Sequence, residues 1–404
     1  MLVAMKKAKN TTNVLSVSVT RLNKLTYNQV GLLGVFIILV GVSLAIRYRL
    51  LGVVTPDFTD FLQPWMNHMA DKGLAGLGDD FSNYNTPYLV LLWLVSFLPF
   101  SELVSVKLIS IAFDIVLASA VFLVVRHFRP QGPAPYVSFL AILFAPVVIQ
   151  NGAMWGQCDA IYTSFVVFAF YAYLKGRLSW AWILWGVGFA FKLQAIFFAP
   201  FLVFATLYHK RAFLGPLYAL TTLTLLSALP LFFGKSVMDI AGVYLGQTNP
   251  IRTDWGLAWF APTAYQWVSN AYFEYVRQAG VLFGGAVALG GVALAFVRKY
   301  SQHQVLVIAT LLLLAVPFFL PTIHERYMFT AEIFLMITAF VVPKFIWAAI
   351  GMQIVTTMSY LTYFTQGNEN PPISFATLSL FVFSIICALA VWLYRTSSDE
   401  KTLS

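Results

Sequence analysis

From Leu103 to Arg129 the chain reads LVSVKLISIAFDIVLASAVFLVVRHFR. Val104 to Val125 is an unbroken apolar run of membrane-spanning length, and it ends on Arg126 and Arg129. Val305 to Leu320 is a second such run. A membrane β-barrel would show short alternating segments instead, so the spanning elements are predicted to be helices. The whole chain has this character: 60% of its 404 residues are hydrophobic and only 10% charged, with a mean hydropathy of +0.79. Soluble domains run near a quarter charged, which excludes an ordinary globular or disordered protein.

A net charge of +9 would suggest a nucleic-acid partner in a soluble chain. Here topology explains it, and no nucleic acid is expected. Lys6, Lys7, Lys9, Arg21 and Lys24 precede the first apolar span with no acidic residue among them, so that end is predicted to be cytoplasmic. A cleavable signal peptide is not expected, because a long polar stretch precedes the span and no small-residue cleavage site follows it. Spans are predicted near residues 30–47, 103–126, 136–151, 158–174, 179–191, 193–208, 212–233, 279–297, 304–320, 327–342, 345–364 and 372–394. The expected fold class is an all-α polytopic membrane protein of about twelve (11–13) helices, one transmembrane domain over residues 1–404 with both termini inside. Residues 1–29 and 395–404 are its cytoplasmic ends, and 48–102 and 234–278 its long extracytoplasmic loops.

Charges not used to place the spans agree with this order. Arg126 with Arg129, Lys175 with Arg177, Lys210 with Arg211, Arg298 with Lys299, Lys344, Arg395 and Lys401 all fall in predicted cytoplasmic segments. With the N-terminal five, the inside holds sixteen of 25 basic residues but only Asp399 and Glu400 of 16 acidic ones, a balance of +14. Tyr88 to Phe100 is apolar but too short to span. Counting it would put every later basic pair outside, so it reads as juxtamembrane. Cys158 and Cys387 are the only cysteines and imply no disulfide framework. No internal repeat or low-complexity tract is visible.

In the first external loop, PDFTDFLQPWMNHMADKG (56–73) places Phe58, Phe61, Leu62, Trp65, Met66 and Met69 at helical spacing. This predicts an amphipathic helix lying along the outer leaflet, with Trp65 at headgroup level. Thr55 and Pro56 suit its N-cap and first turn, which leaves two readings for Asp57, a complement to the helix dipole or a chemical group. Farther on, GDDFSNYNTPYLVLL (78–92) brings Asp79, Asp80, Asn83, Tyr84, Asn85 and Tyr88 to the same surface. Two adjacent carboxylates without a third ligand are a weak metal signal, and a solvated loop is expected there.

NGAMWGQCDAIY (151–162) sets Trp155, Gln157, Asp159 and Tyr162 between two spans, more polar than a tight turn requires. Asp114 and Lys192 sit inside apolar stretches, where a charge usually faces a partner or a wet cavity. Snorkelling would account for Lys192, and a bond to a backbone or hydroxyl group for Asp114. PFFLPTIHERYMF (317–329) is the sharpest local feature: Pro317 and Pro321 break the apolar run, and His324, Glu325, Arg326 and Tyr327 follow. Proline-broken span ends are where transporters and membrane enzymes place polar groups, and Arg326 offers a planar fork suited to phosphate. An interfacial anchor is the other reading of such a cluster. No HExxH, P-loop, GxSxG or zinc spacing occurs.

In order, PDFTDFLQPW, FSNYNTPYLVLL, WGQCDAIY, FKLQA and LPTIHERY resemble the polytopic GT-C class of lipid-linked-sugar glycosyltransferases. The nearest group is the integral membrane mannosyltransferases related to the enzyme that adds the second mannose of the GPI anchor. The resemblance runs from residue 56 to 327. It implies that an acidic residue of the first loop is the general base, Asp57 with Asp60 as the alternative. It implies that His324 and Arg326 hold the donor phosphate, with Lys192 as a further cation. Trp155, Gln157 and Asp159 would line the substrate cavity, with Tyr84, Tyr88, Glu325 and Tyr327. Some relatives carry DxD in the first loop; this chain has DFTD, so no cofactor is expected and a divalent metal ion lacks that motif's support.

The implied activity is inverting transfer of a hexose, mannose or glucose, from a polyprenyl-monophosphate (dolichyl-phosphate-like) donor to a lipid, glycan or protein acceptor on the extracytoplasmic or lumenal side. The alternative class is a secondary transporter or flippase of a lipid-linked sugar or small amphiphile. Transporters of this size commonly show two related halves, and the polar loop after the first span has no later counterpart. Short loops and the lack of a retention signal point to a bacterial plasma membrane rather than an ER.

Overall fold

In the computed structural model, which describes residues 27–247, 256–365, 367 and 371–401, the first apolar span is a single helix, α1 (Tyr27–Leu50). The chain divides into two units, residues 1–46 and 47–404. The first is described only as the opening turns of α1, where Leu32, Ile37 and Ile38 are exposed apolar side chains. The basic residues on which the cytoplasmic N-terminus rests lie outside the described residues.

The second unit is almost wholly helical. Its helices are α2 (Gln63–Lys72), α3 (Thr86–Val95), α4 (Glu102–Phe128), α5 (Ala134–Phe144), α6 (Asp159–Leu174), α7 (Leu178–Phe191), α8 (Ala199–His209), α9 (Gly215–Ser227) and α10 (Val237–Gln247). After the second loop come α11 (Phe273–Ala293), α12 (Gln302–Phe318), α13 (Phe329–Val341), α14 (Ile346–Phe364) and α15 (Phe375–Lys401). Among the described residues the only strands are a parallel pair of two residues each, β1 (Ala258–Trp259) and β2 (Ile323–His324).

Helix α4 shows how sequence sets these elements. Ser101 caps it by accepting from the Val104 amide, Glu102 faces the positive end of its dipole, and Arg126 and His127 face the negative end. Its 27 residues rise about 40 Å, more than the roughly 30 Å of a hydrocarbon core. Val106, Leu117, Val121 and Val124 are fully buried while Ile115 is 36% exposed, so one face of this helix packs inside the bundle and the other is left open.

Among the described residues six helical stretches are long and apolar enough to cross a membrane: Val30–Leu50, Glu102–Phe128, Gly215–Phe233, Asn270–Phe296, Pro343–Phe364 and Phe375–Thr396. Ala134–Phe144 with Pro146–Trp155, bent by 48°, would be a seventh. The chain is therefore a multi-pass helical membrane protein, but these are not the twelve spans the sequence predicts. The regions expected at 158–174, 179–191, 193–208, 304–320 and 327–342 form apolar helices of 10–17 residues. Breaks in regular hydrogen bonding shorten them. Lys192 ends α7 in an extended conformation and a 3-10 turn, Leu193–Phe198, follows. Pro317 lies near the end of α12, where it removes one backbone donor.

The Tyr88–Phe100 region contains only the greater part of the ten-residue α3, which is too short to span. The amphipathic segment departs from expectation in two respects. Phe61 is left exposed off the common face, and Phe58, Leu62, Trp65, Met66 and Met69, which do form one face, are buried in a protein core with Tyr88, Leu92, Val106 and Ile161. Trp65 is 5% exposed and packs on Tyr84 at a ring separation of 5.2 Å, instead of standing at headgroup level. The chain itself, through α3 and α4, supplies the apolar surface that the lipid was expected to supply.

Candidate functional site

Two π-helical turns aim the side chains of this site. Asp57 immediately precedes the first, Phe58–Leu62, and Trp155 closes the second, Gln150–Trp155. A π turn carries an extra residue, so side chains leave the helix in directions an α-helix does not offer. Gly156 ends the second turn at φ 81°, a left-handed conformation that glycine adopts without strain. The Ser110 hydroxyl donates to the Gln157 carbonyl at 2.8 Å, fixing that turn to α4.

These turns meet at the Asp57 carboxylate. Its Oδ2 accepts from Trp155 Nε1 at 3.0 Å and Gln157 Nε2 at 2.5 Å. Its Oδ1 accepts from the Tyr363 hydroxyl at 2.9 Å. The Arg326 guanidinium stands 3.7 Å from Oδ2 and 5.0 Å over the Trp155 ring. Tyr363 stacks on Trp155 as well, the two ring centroids 4.1 Å apart. Asp57 keeps 18% of its side chain exposed, so the carboxylate is held on several sides yet open on one.

Arg326 reaches this point through a constrained segment. Thr322 takes a left-handed φ of 59° and donates its amide to the Leu257 carbonyl at 2.7 Å, and β1 pairs Trp259 with His324. Arg326 Nη1 donates to Glu325 Oε1 at 2.6 Å, while its buried Nε meets no acceptor among the described residues. His324 lies 3.9 Å from the other Glu325 oxygen and tilts against Tyr327 at 4.9 Å. Burial pushes the Glu325 carboxyl up to about 7, against the opposing pull of Arg326. Burial likewise raises the Tyr327 hydroxyl.

A second ion pair adjoins the first. Lys192 Nζ donates to Asp159 Oδ1 at 2.5 Å, with both side chains buried. Asp159 sits in the first turn of α6, where the dipole favours a carboxylate, and also accepts from Asn151 at 2.7 Å. Lys192 is therefore not snorkelling. A buried carboxylate 33 residues earlier holds it inside. The ammonium also faces the Tyr84 ring at 5.8 Å, and Tyr84 packs on Tyr88 at 5.1 Å. Burial raises the Tyr84 hydroxyl well above the usual tyrosine range, which keeps it a neutral donor.

The site residues read from sequence thus gather, except one. Asp60 is exposed and, among the described residues, accepts only from its neighbour Thr59, at 3.0 Å. Three residues on from Asp57 would share its face in an α-helix, but the intervening turn is π-helical and turns Asp60 to the outside. Asp79 and Asp80 pair with Lys72 and Lys235. Among the described residues no group of three His, Cys, Asp or Glu could hold a metal ion. Asn151, Tyr363 and Tyr360, whose hydroxyl accepts from Asn151 at 3.3 Å, were not foreseen; two tyrosines three apart on one face at the end of α14 were the available signal. No family model, curated protein or solved structure matches this chain.

Proposed function

We propose that this protein is an inverting membrane hexosyltransferase that moves mannose or glucose from a polyprenyl monophosphate carrier to an acceptor hydroxyl on the extracytoplasmic side. The observation that carries the reading is Asp57, hydrogen-bonded by Trp155, Gln157 and Tyr363 and open beside the Arg326 guanidinium. An ionised carboxylate has about four lone-pair positions. Three are occupied, and the fourth is available to an acceptor hydroxyl.

As that hydroxyl oxygen bonds to the anomeric carbon, Asp57 takes its proton and the carbon–oxygen bond to phosphate breaks on the opposite face. The leaving polyprenyl phosphate gathers charge, which Arg326 meets with a planar fork, with His324 beside it and Lys192 as a further cation. The shared order of motifs with the GT-C class supports the same reading, as does a donor whose lipid tail stays in the membrane. The transporter alternative drew on Asp114 and Lys192. Each has an internal partner, Arg47 and Asp159, so neither is a spare charge awaiting a substrate.

The test uses purified protein in vesicles with sugar-labelled polyprenyl-phosphate mannose or glucose. Label is expected in a larger acceptor, and Arg326→Gln is expected to raise the KM for donor about ten- to a hundredfold, the loss of one charge-assisted contact. Transfer with an unchanged donor KM would remove Arg326 from phosphate binding. Donor affinity should also depend on pH. Below about 7 Glu325 is protonated and the guanidinium is free to serve the donor phosphodiester. As pH rises through that value the carboxylate ionises and competes for Arg326, so affinity weakens, by at most about tenfold per pH unit. Glu325→Gln should flatten this profile, and an identical profile in the variant would refute the assignment.

A further inference from the structure

Away from the Asp57 cluster, the stretch between Asp159 and Asp239 contains no acidic residue but holds, besides Lys192 and Lys235, the basic residues Lys175, Arg177, Lys210 and Arg211. The turn after α6 carries Lys175 and Arg177 and the turn after α8 carries Lys210 and Arg211. A cavity of about 510 Å³ opens between these turns, lined by Gly176, Arg177, Ser179, Trp180, Arg211 and Ala212. Arg211 reaches over the first turn: a Cβ on Gly176 would stand 3.9 Å from its Nη2. Among the described residues neither Arg177 nor Arg211 forms an ion pair or a side-chain hydrogen bond. Two guanidiniums thus share one opening with no carboxylate to neutralise them.

The surroundings add to the case for an anion. Helix α7 begins at Leu178 with no side chain capping it, so amides of its first turn lack intrahelical partners at the positive end of its dipole. Around the opening, Trp180 is 57% exposed, Phe213 62% and Leu214 59%. A soluble anion has no use for such rings, whereas a lipid presents glycerol and acyl carbons next to its phosphate. Trp is also enriched at membrane–water boundaries, and basic pockets beside a membrane bind anionic lipid headgroups.

We propose that this cavity binds the phosphate of an anionic lipid headgroup, with Arg177 and Arg211 on its oxygens and Trp180 and Phe213 along the lipid's apolar part. The site is separate from the transfer reading and stands without it. The test is titration of the full-length protein, in neutral detergent, with short-chain phosphatidylglycerol, read by native mass spectrometry. Phosphatidylcholine and millimolar inorganic phosphate serve as comparison ligands.

Binding of phosphatidylglycerol over phosphatidylcholine is expected, with a loss of roughly tenfold or more in Arg177→Gln/Arg211→Gln and little change in Arg126→Gln, which lies outside the cavity. If the double variant fails to fold, Arg177→Lys/Arg211→Lys keeps the charge and loses the fork, and weaker binding than wild type is expected. Wild-type affinity in the variant that folds would overturn the proposal. So would displacement of the lipid by inorganic phosphate, which would make this a soluble-anion site.

Discussion

Asp57→Asn is expected to lower hexose transfer from a polyprenyl-phosphate donor by about 10²- to 10⁴-fold, the range for loss of a positioned general base. Asparagine preserves size and one oxygen, which keeps an acceptor for the Trp155 and Gln157 contacts. What it loses is the capacity to take the acceptor proton. The fall should appear in kcat more than in donor KM, because the donor phosphate is assigned to Arg326 and His324. A matching loss in Asp60→Asn would contradict the account, since Asp60 is exposed and, among the described residues, bonded only to Thr59. Undiminished transfer by folded Asp57→Asn would remove Asp57 from the base role.

The second large effect concerns stability. Arg47 Nε meets Asp114 Oδ2 at 2.9 Å with both side chains 1% exposed, and Arg47 Nη1 donates to the Leu143 carbonyl at 2.8 Å. Asp114 presses on the second π turn, where a Cβ on Gly152 would come within 2.9 Å of its carboxylate. Asp114→Ala leaves a buried guanidinium without its counter-ion, which costs about 3–5 kcal/mol in buried pairs of this kind. Arg47→Met combined with Asp114→Leu removes both charges and should recover most of that loss. Thermal unfolding of the detergent-solubilised protein, followed by monodispersity, measures both. Equal midpoints for Asp114→Ala and wild type would show that the pair contributes little.

Much of this arrangement was legible in the sequence, for reasons that differ by residue. Phe58, Leu62, Trp65, Met66 and Met69 repeat at helical spacing, so their common face could be read directly. Trp155, Gln157 and Arg326 stood out because polar groups are rare in so apolar a chain, and they do converge on Asp57. Pairings across long separations could not be read. Tyr363 bonds to Asp57 from 306 residues away and Arg47 reaches Asp114 across 67, distances at which no local pattern selects a partner. Apolar stretches such as 179–191 and 193–208 read as full spans because hydropathy is blind to the break at Lys192. The π turn that sends Asp60 outward is equally invisible to a spacing argument built on 3.6 residues per turn.

The most direct test of the central claim is the covalent fate of the sugar. Purified protein reconstituted in vesicles is given a polyprenyl-phosphate hexose of known anomeric configuration with a membrane extract as acceptor source, and the labelled products are isolated. The account predicts a new glycosidic bond to an acceptor, with the anomeric configuration inverted and polyprenyl phosphate released in equal amount. Recovery of chemically unchanged donor on the other leaflet, or a product with retained configuration, would contradict it.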